Sequence, residues 1–145
     1  TTHLTKLFLQ DMVKKNNGKI LNISSVAAFQ PGPLMSLYYA TKAYILHFTE
    51  AIADEVKDKN IYISALCPGQ TNTNFQKSVS SKKNKIKFNT SCPVKVAKYG
   101  YEALKANNTI SIPGYFNKFL VFLNRLLPRN IVTKIVRYIQ EKNRN

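Results

Sequence analysis

The sequence predicts an α/β fold in which about three parallel strands alternate with helices. Three short apolar segments have the length of strands, at residues 19–24, 61–67 and 109–114. Longer amphipathic segments lie between them, and strands that alternate with helices form parallel sheets. The chain has 145 residues, of which 44% are hydrophobic, so it is long enough for one domain with a buried core.

The first half of the chain is predicted to form helix, strand and helix. Apolar residues at helical spacing predict a helix over residues 2–15, which Asn16-Asn17-Gly18 ends. The strand at 19–24 follows, and a loop with Pro31, Gly32 and Pro33 leads to a long helix over residues 36–57. Ser36 is the expected N-cap of that helix.

The second half repeats this alternation around a polar insertion. The strand at 61–67 stops at Pro68-Gly69. Residues 70–90 are polar and lysine-rich, and we expect a loop with a short helix there. Pro93 suits the first turn of a helix over residues 93–106, and the strand at 109–114 follows.

The end of the chain consists of two amphipathic segments, at 115–127 and 131–141, separated by Pro128. We therefore divide the chain into a domain over residues 1–114 and a helical tail over residues 115–145. The apolar face of the second segment holds Ile131, Val132, Ile135, Val136 and Ile139. Such a face packs on the domain or a partner subunit, or lies on an anionic membrane surface, because basic residues cover its other side. For the segment at 115–127 we favour packing on the domain or a partner subunit, and for the second segment both alternatives stay open.

The net charge of +15 raises the question of nucleic acid binding. The sequence contains neither zinc-finger spacing nor an aromatic RNA-binding motif, so we predict no nucleic acid partner. His3 and His47 are isolated, and no metal site is expected. Two unpatterned cysteines fit a reducing compartment, which predicts a cytoplasmic protein.

A candidate active site follows from the predicted topology. The carboxyl ends of parallel strands meet at one edge of a sheet, and ligands bind there. Ser25 follows the first strand, Pro68-Gly69 follows the second, and Tyr38 begins the long helix. Lys42 is four residues after Tyr38, so the two side chains share a helix face. An ammonium about 4 Å away stabilises a phenolate by roughly 1 to 4 kcal/mol, which makes such a tyrosine a candidate general acid/base.

Three stretches together resemble the second half of a classical short-chain dehydrogenase/reductase: GKILNISS, then YYATK, then IYISALCPGQTNT. Ser25 precedes Tyr38 by thirteen residues, as in that family. The spacing Y-x-x-x-K also occurs at Tyr101/Lys105 and Tyr138/Lys142, but without the other motifs. The resemblance implies a Rossmann-like, doubly wound parallel sheet of which this chain holds only the second half.

The resemblance also implies a reaction and a role for each matching residue. The reaction is hydride transfer between NAD or NADP and a carbonyl or alcohol, with Tyr38 as general acid/base. Ser25 binds the reacting oxygen, and Lys42 assists Tyr38 and binds the nicotinamide ribose. Besides Lys42, the expected cofactor contacts are Tyr38, Pro68, Gly69, Thr71 and Thr73.

The same resemblance bears on substrates and assembly. A basic, apolar tail is similar to that of reductases of long-chain 3-ketoacyl or steroid compounds, so the substrate is expected to be lipid-like. Many family members form dimers or tetramers through the two helices that match residues 2–15 and 36–57. The expected contacts on the second helix are Thr41, Ile45, Phe48 and Ile52.

One feature of the family pattern is missing from this sequence. Its five glycines, at 18, 32, 69, 100 and 114, never form the glycine-rich cofactor turn G-x-x-x-G-x-G. We therefore expect the chain to be inactive by itself. Two other functions compete with an oxidoreductase: a binding or scaffold protein that kept the fold without activity, and a peripheral membrane protein that acts through its tail.

Overall fold

A computed structural model describes residues 1–74 and 90–144, and its described strands form one parallel sheet. The strand order is β1-β2-β3, with β1 at Gly18–Ile23, β2 at Ile61–Leu66 and β3 at Ile110–Ser111. Gly18 lies opposite Ile61, and Ala65 lies opposite Ile110. The predicted α/β class with parallel strands is confirmed.

Five α-helices surround the sheet in the part of the chain that the structure describes. They are α1 (Thr2–Lys15), α2 (Ser36–Glu55), α3 (Pro93–Lys105), α4 (Tyr115–Leu126) and α5 (Arg129–Arg144). All five correspond to predicted helical segments. The short helix expected within residues 70–90 falls largely on residues 75–89, which lie outside the described residues, as do the lysines of that stretch.

Three local details differ from the expectations. The N-cap of α2 is Met35, which makes no side-chain cap bond, so the prediction of Ser36 as the cap is wrong. A 3-10 helix at Val26–Phe29 was not predicted. β3 is only two residues long, because Pro113 has no N–H to donate and Gly114 adopts a φ of 88°.

The core lies between β2 and the helices on both sides of the sheet. Every β2 residue except Tyr62 is buried, as expected for a central parallel strand covered on both faces. Leu46 of α2 packs with Ala65 and Cys67, and it is 1% exposed. On the other face, Gly100 lets α3 approach closely, because a Cβ there would meet the Leu66 side chain at 2.6 Å.

The two C-terminal helices pack against the rest of the described chain. Val121 of α4 is buried, and Val132 and Val136 of α5 are buried against Ala27 and Tyr39. Ile131 and Ile135 remain about half exposed on α5. The apolar face predicted for the second segment is therefore divided between a packed part and an exposed part.

Candidate active site

A groove of about 630 Å³ lies at the carboxyl ends of β1 and β2. Its lining includes all seven residues expected from the sequence, although they come from three separate parts of the chain. They are Ser25, Tyr38, Lys42, Pro68, Gly69, Thr71 and Thr73. The topology thus brings the candidate residues together at one edge of the sheet.

Ser25 begins the turn that leaves β1. Its Oγ accepts a hydrogen bond from the Ala27 amide at 3.1 Å, so the side chain caps the unpredicted 3-10 helix. The same hydroxyl donates to the Pro68 carbonyl at 3.4 Å, a long bond. This weak bond leaves the hydroxyl proton available for a closer acceptor in the groove.

One buried and one partly buried hydrogen bond hold α2 against β1 and the residue that follows it. The Ser24 hydroxyl donates to the Lys42 carbonyl at 2.8 Å, and the Asn22 amide donates to the Thr49 hydroxyl at 3.0 Å. All but Lys42 are buried. The two bonds fix the position of α2 relative to β1. They thereby fix the positions of Tyr38 and Lys42 in the groove.

Lys42 lies beside Tyr38, with Nζ 5.9 Å from the centre of the tyrosine ring. The ammonium also donates to the carbonyl of Ile23 at 3.0 Å, at the end of β1. Partial burial lowers the pKa of Lys42, and the nearby Cys67 sulfur has a smaller, opposite effect. An ammonium that has lost part of its hydration gains more from a negative charge beside it, such as a phenolate.

The three Y-x-x-x-K pairs have nearly the same local geometry. Lys105 lies 5.4 Å from the ring of Tyr101, and Lys142 lies 5.2 Å from the ring of Tyr138. Both of these tyrosines are about 60% exposed and outside the groove lining, whereas Tyr38 is part of it. Helical spacing alone therefore produces the contact, and position in the fold distinguishes Tyr38.

The segment after β2 forms the opposite side of the groove. The Pro68 carbonyl accepts from the Val26 amide at 3.1 Å, and the Thr71 hydroxyl donates to the Gly69 carbonyl at 3.1 Å. Thr71 also pairs with Ser91 in an isolated parallel bridge. These bonds hold the segment in place, and Thr71 and Thr73 both line the groove.

Helix α5 contributes two groove residues that the sequence did not predict, Gln140 and Asn143. The Gln140 amide donates to the Tyr39 hydroxyl at 3.0 Å, across a separation of 101 residues. The apolar spacing in α5 indicated that one face of the helix is covered by the domain, a partner subunit or a membrane surface. No local signal indicated that it packs beside Tyr39.

The sequence profile of the short chain dehydrogenase family matches residues 1–84, more than half of the chain. The chain belongs to this family. The short-chain dehydrogenases are oxidoreductases, and the motifs that carry the resemblance, from β1 to the segment after β2, all lie within the matched range. The recognition made from those motifs is confirmed.

Curated relatives extend the similarity beyond the matched range. The chain is 43% identical over 82 residues to "17-beta-hydroxysteroid dehydrogenase type 3" of Mus musculus, which covers 57% of this chain and 27% of that protein. It is 26% identical to "Very-long-chain 3-oxoacyl-CoA reductase" of Mus musculus, which covers 98% of this chain and 46% of that protein. The chain thus spans less than half the length of these relatives.

Solved structures of short-chain dehydrogenases share the fold. A 7beta-hydroxysteroid dehydrogenase matches 93% of this chain with a TM-score of 0.73 and 22% identity, over 51% of its own length. A short-chain dehydrogenase from Sphingobium yanoikuyae, solved in complex with NADPH, matches 87% of this chain with a TM-score of 0.71 and 24% identity, also over 51% of its length. The Rossmann-like character of the sheet is confirmed by these matches.

Proposed function

We propose that this chain carries the catalytic groove of an NAD(P)-dependent oxidoreductase that interconverts a carbonyl and an alcohol. The observation that carries the proposal is the assembly of Ser25, Tyr38 and Lys42 in one groove beside Pro68 and Gly69. Family membership supports the reaction class. A binding or scaffold protein would have no need for a phenol, a hydroxyl and an ammonium in this arrangement.

In the proposed reaction, the Tyr38 phenol donates its proton to the carbonyl oxygen during reduction and takes it back during oxidation. The Ser25 hydroxyl, now in its long bond to the Pro68 carbonyl, donates to the same oxygen and holds it in place. The Lys42 ammonium lies on the face of the Tyr38 ring and stabilises the phenolate that forms when the proton leaves.

The groove also fits the nicotinamide end of a dinucleotide. An ammonium has three N–H donors, so Lys42 can bind a ribose hydroxyl while it holds the Ile23 carbonyl. Tyr38 lies beside it, and Pro68, Gly69, Thr71 and Thr73 line the opposite wall with backbone and hydroxyl groups. When bound, NAD or NADP supplies or accepts the hydride, and the protein aligns it with the substrate.

A lipid-like substrate is the class that the groove favours. Much of its remaining lining is apolar, including Val26, Ala27, Met35, Val96 and Ala97. The two curated relatives are named for steroid and very-long-chain acyl-CoA chemistry. We therefore propose a carbonyl group on a long apolar body.

The test is a steady-state assay of the full-length protein with NADH or NADPH. A 17-ketosteroid and a long-chain 3-oxoacyl thioester serve as substrates, and a short ketone serves as the comparison. We expect the protein to oxidise NADH or NADPH when a long apolar carbonyl compound is present, and to do so more slowly with the short ketone. Cofactor binding without turnover of any of the three would favour the binding or scaffold function instead.

We also propose that the protein is a homodimer or homotetramer. The outer face of α1 exposes Leu4, Leu7 and Phe8 at 50–59% of their surface. An apolar groove between α1 and α2 is lined by Phe48 and Ile52, two of the contacts expected from the sequence. A self-association interface would cover these side chains.

Sedimentation of the full-length protein is therefore expected to give a dimer or tetramer at micromolar concentration. Phe48→Glu should shift it toward the monomer, because the carboxylate would be desolvated in the interface. Lys98→Glu, on the exposed face of α3, is the control for a change of charge and should leave the mass unchanged. A wild-type monomer would contradict the proposal.

For localisation, we propose a cytoplasmic protein with peripheral membrane contact through its tail. No helix in residues 1–74 and 90–144 is long and apolar enough to cross a membrane. However, Tyr115, Phe119, Phe122 and Leu126 form one exposed stripe on α4, each at least 58% exposed. The exposed cations Lys118 and Arg125 flank it, which suits an anionic lipid surface.

Flotation with phosphatidylserine-containing vesicles tests this contact. We expect the wild-type protein to float with the vesicles. The Phe119→Ser/Phe122→Ser variant should remain mostly in the bottom fraction, because it lacks the two aromatic side chains that would insert into the membrane. Tyr101→Ser, an exposed aromatic side chain on α3, is the matched control and should float like wild type. Equal behaviour of all three proteins would exclude α4 as a membrane contact.

A further inference from the structure

Helix α5 reaches the candidate active site from the far end of the chain. Val132 and Val136 are buried in one apolar cluster with Ala27 and Tyr39. One turn beyond Val136, the Gln140 amide donates to the Tyr39 hydroxyl at 3.0 Å. The helix is thus attached to Tyr39 by packing and by a hydrogen bond.

Tyr39 is held on more than one side. Its side chain is 9% exposed, and the backbone of Gly32 lies so close to the ring that a Cβ at Gly32 would overlap it. Burial raises the pKa of Tyr39, although its hydrogen bonds to Gln140 and Gln30 oppose the effect. The residue therefore stays a neutral phenol whose oxygen accepts the hydrogen bond from the Gln140 amide.

Tyr39 in turn contacts Tyr38. The two ring centres are 6.0 Å apart, and the ring planes meet at 77°, an edge-to-face arrangement that aromatic pairs prefer. Tyr38 also packs against the cluster that contains Tyr39, Val132 and Val136. A continuous set of contacts therefore links α5, through Tyr39, to Tyr38.

We propose that Gln140 is a positioning residue for Tyr38, acting through the Tyr39 hydroxyl. The inference rests on the proposed function, because the position of Tyr38 matters for rate only if its phenol transfers the proton. Proton transfer requires heavy atoms within hydrogen-bond reach, and small displacements of a reacting group cost rate steeply. Gln140 fixes one edge of the tyrosine pair and so limits how far the Tyr38 ring can move.

The test is a double-mutant cycle in the full-length protein with Gln140→Met, Tyr39→Phe and the combined variant. Methionine keeps the length of the glutamine side chain without its amide, and phenylalanine removes one oxygen. We expect each single variant to lower kcat about tenfold, as for a misplaced reacting group, and the combined variant to lose no more than either one. The KM for the cofactor should stay within about twofold, because neither residue belongs to the proposed cofactor contacts.

Asn130→Met is the matched control, since it removes an exposed amide from the first turn of the same helix. It should leave kcat unchanged. The proposal is overturned if the losses of the two single variants multiply in the combined one, or if Gln140→Met keeps the wild-type kcat. If Gln140→Met does not fold, Tyr39→Phe decides alone, and an unchanged kcat overturns the proposal.

Failure of the proposed function has a different signature. In that case Tyr38→Phe keeps the wild-type rate, or the wild-type protein reduces no carbonyl compound. Failure of the positioning role leaves Tyr38→Phe inactive while the Gln140 and Tyr39 variants are fully active. Rates of four proteins therefore distinguish failure of the proposed function from failure of the positioning role. They are the wild type, Tyr38→Phe, Gln140→Met and Tyr39→Phe.

Discussion

Replacing Tyr38 by phenylalanine in the full-length protein is expected to lower the rate of carbonyl reduction by about 10²–10⁴. The change removes only the phenol oxygen, and with it the group that donates the proton to the substrate oxygen. The ring stays, so its edge-to-face contact with Tyr39 and its packing on the Tyr39 cluster should be kept. The midpoint of thermal unfolding should therefore change little. Steady-state kinetics measure the loss of rate.

Tyr101→Phe and Tyr138→Phe are closely matched controls. Each tyrosine has a lysine four residues later, with Nζ 5.4 Å and 5.2 Å from its ring, but both are outside the groove lining. Both variants should reduce carbonyls at nearly the wild-type rate. If Tyr38→Phe kept turnover within a factor of a few, Tyr38 would have no part in the proton transfer.

The 145-residue chain by itself is expected to bind neither NAD nor NADP appreciably. In Rossmann-like folds the pyrophosphate is held by a glycine-rich turn and a helix N-terminus, and this sequence contains no such turn. Two of its glycines permit close packing instead. Gly100 allows α3 to approach β2, and Gly32 allows the loop to approach the Tyr39 ring. Only the nicotinamide end of the cofactor would find contacts.

Titration of the isolated chain with NADPH at physiological ionic strength tests this expectation. The lysines can attract phosphates weakly, but at a Debye length of about 8 Å such binding should fall steeply as salt is added. Within the described sheet β1 is an edge strand, and an unpaired edge promotes association between chains, so the monomeric state must be verified first. Saturable, salt-resistant binding of NADPH at micromolar concentration would contradict the expectation, because it would show that the chain binds the cofactor without a glycine-rich turn.

Much of the fold could be predicted because its signals are local. Apolar runs bounded by turn residues marked β1 and β2, and helical spacing marked all five helices. The placement of Ser25 and Tyr38 at one edge of the sheet followed from a general rule of parallel topology. The length of β3 was overestimated, since apolar residues beyond Ser111 pack without pairing.

The features that could not be predicted depend on contacts between distant parts of the chain. Ser25 was recognised from its motif, but its second role as a helix cap became visible only with the 3-10 helix. Tyr39 follows Tyr38 directly in the motif YYATK, and nothing near it in the sequence indicated a hydrogen bond to Gln140. Met35 precedes α2 without a side-chain cap, so residue preferences pointed to the wrong position there.

The most direct test of the proposed oxidoreductase is the transfer of deuterium from NADH or NADPH that carries deuterium at both C4 positions of the nicotinamide, so that transfer from either face labels the product. The full-length protein is incubated with the labelled cofactor and a long-chain 3-oxoacyl thioester or a 17-ketosteroid, and the alcohol product is analysed by mass spectrometry. We expect one deuterium at the carbon that carried the carbonyl, with a wild-type yield at least about a hundredfold above that of Tyr38→Phe. Unlabelled alcohol, or equal yields of labelled alcohol from the wild type and Tyr38→Phe in the same incubation time, would contradict a hydride transfer assisted by Tyr38.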